Sequence, residues 1–243
     1  MDKWKTTFFQ ETRFGGFSNI DGTVVFYNRV NALLKPTGVC VDVGCGRGAY
    51  GEDPVEYRRN LRILRGKCAR LIGLDVDPVA AKNPYQDEFR LIDAGQWPVE
   101  SGSADLCLSD NVLEHIPNPM HFFSECSRVL KPGGYLCIRT PNVFSYFGLM
   151  ARLVPNRAHP SVLVRVKAGT KEQDIFPTYY RCNTIRRVRQ RLEQSGFDPC
   201  VYGYDAEPSY LAFSRILYFF GALHLRFAPN IFKVGIHAFG MKG

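Results

Sequence analysis

The stretch Val39-Cys40-Val41-Asp42-Val43-Gly44-Cys45-Gly46-Arg47-Gly48 decides the fold. Its first half is a short apolar run rich in β-branched residues, the composition of a strand buried on both faces. Its second half is a glycine turn. Glycine opens backbone conformations closed to other residues and lets a ligand approach the main chain closely. Asp42 stands two residues ahead of the first glycine, at the strand end. Two readings fit these residues. Gly44, Gly46 and Ala49 satisfy the G-x-G-x-x-[GA] spacing of a dinucleotide site. Asp42, Gly44, Gly46 and Gly48 satisfy an acid-led D-x-G-x-G-x-G pattern.

Working outward, Leu71-Ile72-Gly73-Leu74-Asp75 reads as a second strand ending in an acid. A carboxylate there can accept two hydrogen bonds from a ribose diol. A dinucleotide fold expects this acid about 20 residues after the glycines, whereas Asp75 lies 27 residues beyond Gly48. Asp53-Pro54-Val55-Glu56 accounts for the delay: Asp53 as N-cap, Pro54 at the first helical position and Glu56 completing a capping box start the helix late, and Gly66 ends it. Arg58, Arg59, Arg62 and Arg65 make this helix basic. Asp77 is the expected cap of the helix after Pro78. Further strands are expected at 89–94, at 104–110 and at 135–140. Upstream, Asp21-Gly22-Thr23 starts a helix that Pro36 closes, with Tyr27 and Arg29 on its solvated face. Residues 1–20, rich in Phe and Gly, suit a mobile cover better than a regular element.

The glycine stretch, together with Val112-Leu113-Glu114-His115-Ile116 and the run RVLKPGGYLCIRTPN from Arg128 to Asn142, resembles class I S-adenosylmethionine (SAM)-dependent methyltransferases, in particular the methyltransferase type 11 group. The resemblance is strong over about 37–142 and weaker to the end of the chain, where YRCNT…RLEQSGF resembles the family's last helix-to-strand junction. It implies a Rossmann-like α/β fold with a seven-stranded, mostly parallel sheet, helices on both faces and one antiparallel strand near the C-terminus. It implies SAM as cofactor and S-adenosylhomocysteine as product. The cofactor contacts it implies are Asp42, near the ammonium; Gly44, Cys45, Gly46 and Gly48, along the methionine part; Asp75 and Val76, at the ribose; Asp93 and Ala94, at the adenine; and Asp110 and Asn111, at the methyl-transfer channel. His115 and Asn111 are the candidate catalytic groups. For His115 the near-neutral pKa of imidazole suits a general base, while the plainer reading, which we prefer, has it orient the loop after the fourth strand.

With 243 residues the chain is long enough for one sizeable α/β core. Within one domain over 1–243 we expect an N-terminal cover and helix (1–36), a cofactor-binding core (37–142), a substrate-side insertion (143–182) and C-terminal helices and strands (183–243). The net charge of +8 permits an acidic partner without choosing one. The eight cysteines show no disulfide pattern and no C-x-x-C, which argues against a metal site and fits a reducing cytosol. Cytoplasmic localisation is therefore expected, with peripheral contact to the inner membrane surface left open. No signal-peptide pattern opens the chain, and the apolar run Ile216–Leu223 is far short of a membrane span.

The acceptor is less legible. The region 143–180 is irregular, with a short apolar helix expected over 144–150. Long irregular insertions on a rigid scaffold carry specificity, which makes Tyr146, Tyr180 and Arg181 the candidate substrate contacts. A helix over 185–195, a strand over 201–204, a hydrophobic helical insertion over 209–227 and a closing strand over 232–238 complete the chain. Ser109-Asp110-Asn111-Val112 replaces the Asn/Asp-Pro-Pro-Tyr/Phe expected of a base N-methyltransferase. The expected acceptor is a small molecule, a glycan or a lipid-linked compound, methylated at oxygen. An RNA methyltransferase using the basic surface and a noncatalytic SAM-binding regulator remain as alternatives, as does a homodimer.

Overall fold

The computed structural model describes residues 3–93, 95–146 and 176–243. Its strands are β1 Val39–Val43, β2 Arg70–Asp75, β3 Glu88–Leu91, β4 Ala104–Asp110, β5 Leu130–Pro141, β6 Phe197–Tyr204 and β7 Gly235–Lys242. They form one seven-stranded sheet in the order β3-β2-β1-β4-β5-β7-β6. β1 runs parallel to β2 and β4, β2 to β3, and β4 to β5. β7 runs antiparallel to both of its neighbours, so every other strand ends at the same edge of the sheet.

The helices are α1 Lys3–Phe8, α2 Gly22–Leu33, α3 Glu56–Arg62, α4 Pro119–Val129, α5 Ile185–Gln194 and α6 Arg215–Phe227. On one face, Phe122, Phe123, Cys126 and Val129 of α4 and Val188 and Leu192 of α5 pack on Val41, Ile72, Leu136, Ile138 and Ala238. Each large side chain fully buried there contributes about 1.5–3 kcal/mol. On the other face, Phe26, Tyr27 and Val30 of α2 and Leu64 beyond α3 cover Cys40, Leu106, Leu108 and Cys137.

Strand side chains alternate between faces. Asp42 therefore follows Cys40, Asp110 follows Leu108 and Arg139 follows Cys137 onto the α2 face, which His237 joins through Phe239. Ionisable groups are thus gathered beneath a helix at the edge where the parallel strands end.

Several local signals act as read. Asp21 caps α2, accepting from the Thr23 and Val24 N–H groups at 3.0 and 3.1 Å. Asp77 caps a short 3₁₀ turn over Pro78–Lys82, and Thr184 caps α5.

Others are corrected. Residues 1–20 contain α1 and a 3₁₀ turn over Gln10–Arg13. The Phe8 and Phe9 rings lie 5.2 and 6.4 Å from that of Tyr218, a partner from the far end of the chain that local composition cannot reveal. α3 starts at Glu56 with Val55 as its cap residue. Asp53 instead accepts from the Val55 N–H and from a fork of Arg58, because the arginine competes for its carboxylate. α3 ends at Arg62, before Gly66. The closing strand begins at Gly235, after a 3₁₀ turn over Asn230–Phe232. The apolar helix expected over 144–150 falls largely outside the described residues.

Candidate active site

The chain leaves β1 at Val43 and turns through Gly44, Gly46 and Gly48, all at positive φ (74°, 56° and 77°). A Cβ at Gly44 would overlap the Val112 side chain, whereas one at Gly46 would meet nothing within 4 Å. Gly44 is thus required for packing, and Gly46 leaves its backbone open to a ligand. The loop is stapled in place. The Gly44 and Cys45 N–H groups donate to the Leu74 carbonyl at 2.7 and 3.1 Å. Gly46 N–H donates to Asp75 Oδ2, and Asp77 N–H to Asp75 Oδ1, each at 2.9 Å. Asn83 Nδ2 donates to the Cys45 and Gly46 carbonyls.

These residues line a cleft of about 560 Å³ together with Tyr50, Arg58, Arg62 and Phe176. That volume lies within the roughly 300–1,000 Å³ typical of small-molecule sites. Gly44, Cys45, Gly46, Gly48 and Asp75 all line it. Val76, between the lining residues Asp75 and Asp77, is exposed. Asp93 is exposed beyond the end of β3, and Ala94 lies outside the described residues.

Beneath the cleft, Asp110 and Arg139 form a two-pronged ion pair. Arg139 Nε donates to Oδ1 at 2.6 Å and Nη2 to Oδ2 at 2.7 Å. Tyr27 Oη donates to the same Oδ2 at 2.9 Å, and Arg62 Nη2 approaches within 3.7 Å. Burial alone would raise the Asp110 carboxyl, but Arg139's charge and hydrogen bonds outweigh it and hold the group below the ordinary value. Among the described residues Asp42 has no such ion pair. Burial, then the Asp110 charge, push its pKa up to about 7, with Arg62 opposing and Asp75 adding to the rise. His237, stacked at 4.6 Å on Tyr204, is lowered to about 3 by burial and then by Arg139.

Tyr27 is therefore buried within this cluster instead of lying on a solvated face, because Asp110 draws its hydroxyl inward; Arg29 is exposed. The partners Tyr27, Arg62 and Arg139 were not among the sequence-expected site residues. An arginine inside the apolar run Leu136-Cys137-Ile138-Arg139 is itself the missed signal, since a charge at a buried strand position requires a counter-charge.

Residues 41–138 match the family described as a methyltransferase domain. Over these residues the chain is similar to a methyltransferase domain. Over 111 residues it is 33% identical to a probable S-adenosylmethionine-dependent methyltransferase of Mycolicibacterium smegmatis, covering 44% of this chain and 39% of that protein. Over 145 residues it is 32% identical to a ubiquinone biosynthesis O-methyltransferase of Xanthomonas oryzae pv. oryzae, covering 54% of this chain and 58% of the relative. The matches thus span about half the length of these relatives. The fold is shared with a SAM-dependent methyltransferase from Archaeoglobus fulgidus (TM-score 0.56, 16% identity, 96% of this chain and 98% of that one). It is also shared with the geranyl diphosphate C-methyltransferase of Streptomyces coelicolor, crystallised with S-adenosyl-L-homocysteine (TM-score 0.56, 16% identity, 91% and 79%).

Beside the buried ion pair, Asn111 takes φ 57°, and its Nδ2 donates to Asp110 Oδ1 at 2.9 Å. It is held against the ion pair and, like Asp42 and Asp110, is not part of the cleft lining. His115 Nδ1 lies 2.9 Å from the Pro177 carbonyl, so Nδ1 carries the proton, and the ring meets Phe176 edge-on. This ties the loop after β4 to the segment from residue 176. Glu114, raised by burial, accepts from Thr140 Oγ1, and its carbonyl accepts from the Tyr179 and Tyr180 N–H groups. Arg181 Nη1 donates to the Pro117 carbonyl at 2.8 Å. His115, Tyr180 and Arg181 therefore meet around one loop, while Tyr146 sits apart, edge-on to His224 at 5.0 Å. Among the described residues no His/Cys/Asp/Glu cluster could hold a metal ion.

Proposed function

We propose that the protein transfers a methyl group from SAM to the oxygen of a small-molecule, glycan or lipid-linked acceptor. The carrying observation is the cleft itself: an open glycine backbone at Gly46 faces the space beside Asp75. Asp75 uses one lone pair of each oxygen on backbone N–H groups, which orients the carboxylate and leaves capacity for a ribose diol. Asp42 would balance the ammonium by its charge from beneath the cleft, Val76 would back the ribose, and Asp93 would take the adenine amino group. When bound, the cofactor supplies a methyl group on a sulfonium centre that is already a good leaving group. The chain's own task is therefore to align the acceptor and exclude water. His115 keeps Nε2 free of the Pro177 bond and able to take a hydroxyl proton beside Phe176. Tyr180 and Arg181 border the same loop.

Oxygen as the acceptor atom is supported by the names of the relatives from Xanthomonas oryzae and, at 34% identity over 111 residues, the tocopherol O-methyltransferase of Arabidopsis thaliana. The arginines of α5 do not favour RNA, since Arg187 and Arg189 donate to the Arg181 and Val201 carbonyls of their own chain. Radiolabelled SAM incubated with fractionated cell extract tests the reading. Label in an organic-soluble or saccharide fraction is expected; label in RNA, or binding without turnover in any fraction, overturns it.

A further inference from the structure

A surface helix normally turns a mostly polar face to water; α6 turns a mostly apolar one. Its inward side, Tyr218 and Gly221, is buried. Its outward stripe is Ile216, Phe220, Leu223 and Phe227, at 69%, 57%, 43% and 68% exposure, with Phe219 alongside. Phe213 before the helix and Ile231 after it extend the patch. The inner side is fixed by polar contacts. Asp205 accepts from the Val234 N–H and pairs with His224 Nδ1 at 3.3 Å, and Asn142 Nδ2 donates to the Ile231 and Lys233 carbonyls. The apolar stripe is thus held outward by a rigid base.

The charge around the stripe has one sign. From Pro208 to Gly243 the sequence contains no aspartate or glutamate, and the charged side chains of α6 itself are Arg215 and Arg226. Arg215 and Arg226 stand at the two ends of α6. A second copy docked antiparallel on this stripe would set Arg215 of each chain against Arg226 of the other, a like-charge contact. An anionic phospholipid surface takes the phenylalanines among its acyl chains and the arginines at its headgroups. The position also matters. α6 lies between the end of β6 and the start of β7, the edge of the sheet at which the cleft opens.

We propose that the outer face of α6 docks the protein on an anionic phospholipid surface, from which the methyl acceptor is drawn. The second half of this statement rests on the methyl-transfer reading above; the first half does not. The full chain is sedimented with vesicles of phosphatidylcholine alone or with added phosphatidylglycerol, at low and high salt. Co-sedimentation with the anionic vesicles at low salt is expected, weakening as salt screens the arginines. Phe220→Ser with Phe227→Ser, and separately Arg215→Glu with Arg226→Glu, each lower the bound fraction about tenfold. Titration of S-adenosylhomocysteine into the same variants reports on the cleft and is expected to be unchanged. No sedimentation at low salt, or sedimentation unaffected by the phenylalanine pair, overturns the docking. So does a solution mass twice that of the chain that drops to one in the phenylalanine variant. Vesicle binding without S-adenosylhomocysteine binding sustains the docking and overturns only the methyl-transfer reading.

Discussion

The glycine loop and the buried cluster on β4 and β5 use polar residues differently. At the loop, Asp75 and Asn83 bind the backbone, through N–H and carbonyl contacts. On β4 and β5 the buried polar groups bind one another: Arg139 donates to Asp110, and Thr140 to Glu114. The first arrangement fixes a loop whose shape is local. The second joins elements far apart in sequence. A loop held through its backbone tolerates change at its neighbours and fails at its glycines; a buried charge pair fails when either partner is lost.

The largest effect that tests this contrast is Arg139→Leu. Removing one partner of a buried pair leaves Asp110 uncompensated and costs about 3–5 kcal/mol of stability, read as a fall in denaturant midpoint. Asp110→Asn combined with Arg139→Leu should recover much of the loss. If the double variant is no better than the single one, the pair is not the source of the cost. Asp75→Ala comes next. Loss of charge-assisted bonds to the ligand costs about 2–3 kcal/mol of S-adenosylhomocysteine affinity by calorimetry, and the freed Gly46 and Asp77 N–H groups add loop mobility, visible in hydrogen exchange. Gly44→Ala places a Cβ against Val112 at φ 74° and costs on the order of 1–3 kcal/mol of stability. Adding Val112→Ala relieves the overlap but not the backbone strain, so rescue is partial; full rescue would show that the conformation carries no cost.

Two pH effects are smaller per pH unit and of opposite sign. Asp42 titrates near 7 in the folded chain, above the usual carboxylate value. The fold therefore holds a proton that the unfolded chain has already lost, and stability falls as pH rises from about 4 to 7. A ligand ammonium beside Asp42 favours the ionised form, so S-adenosylhomocysteine affinity should rise with pH up to about 7, by at most about tenfold per unit, and then level off. Asp42→Asn removes that slope, and a slope that persists assigns it elsewhere. His237, lowered to about 3, is neutral when folded but takes a proton when unfolded below about 6.5. Its contribution is present above that pH and is lost as pH falls toward 3, by at most about 1.4 kcal/mol per unit. His237→Gln should flatten this acid limb in thermal melts.

The glycine-loop end of the sheet was legible because its signals are short-range. The glycine turn, the acids closing β1 and β2, and the caps Asp21, Asp77 and Thr184 each act within a few residues of themselves, so the sequence pattern carries them intact. The α3 start was misread for the same reason in reverse: a plausible local cap at Asp53 lost to Arg58, five residues on. Asp93 and Val76 show the limit of motif reading, since a motif assigns a role without showing where the side chain stands.

The sequence by itself determined the glycine turn and the strands that carry its motifs, because backbone conformation and strand alternation are set by neighbouring residues; the mostly parallel sheet followed from the resemblance those motifs carry. Only the tertiary structure decided that Tyr27, Asp110, Arg139 and His237 meet beneath α2, that α1 rests on Tyr218, and that the phenylalanines of α6 face outward. Those outcomes depend on pairing register and on which helix covers which face. They join residues separated by tens to hundreds of positions, across which no local preference can act.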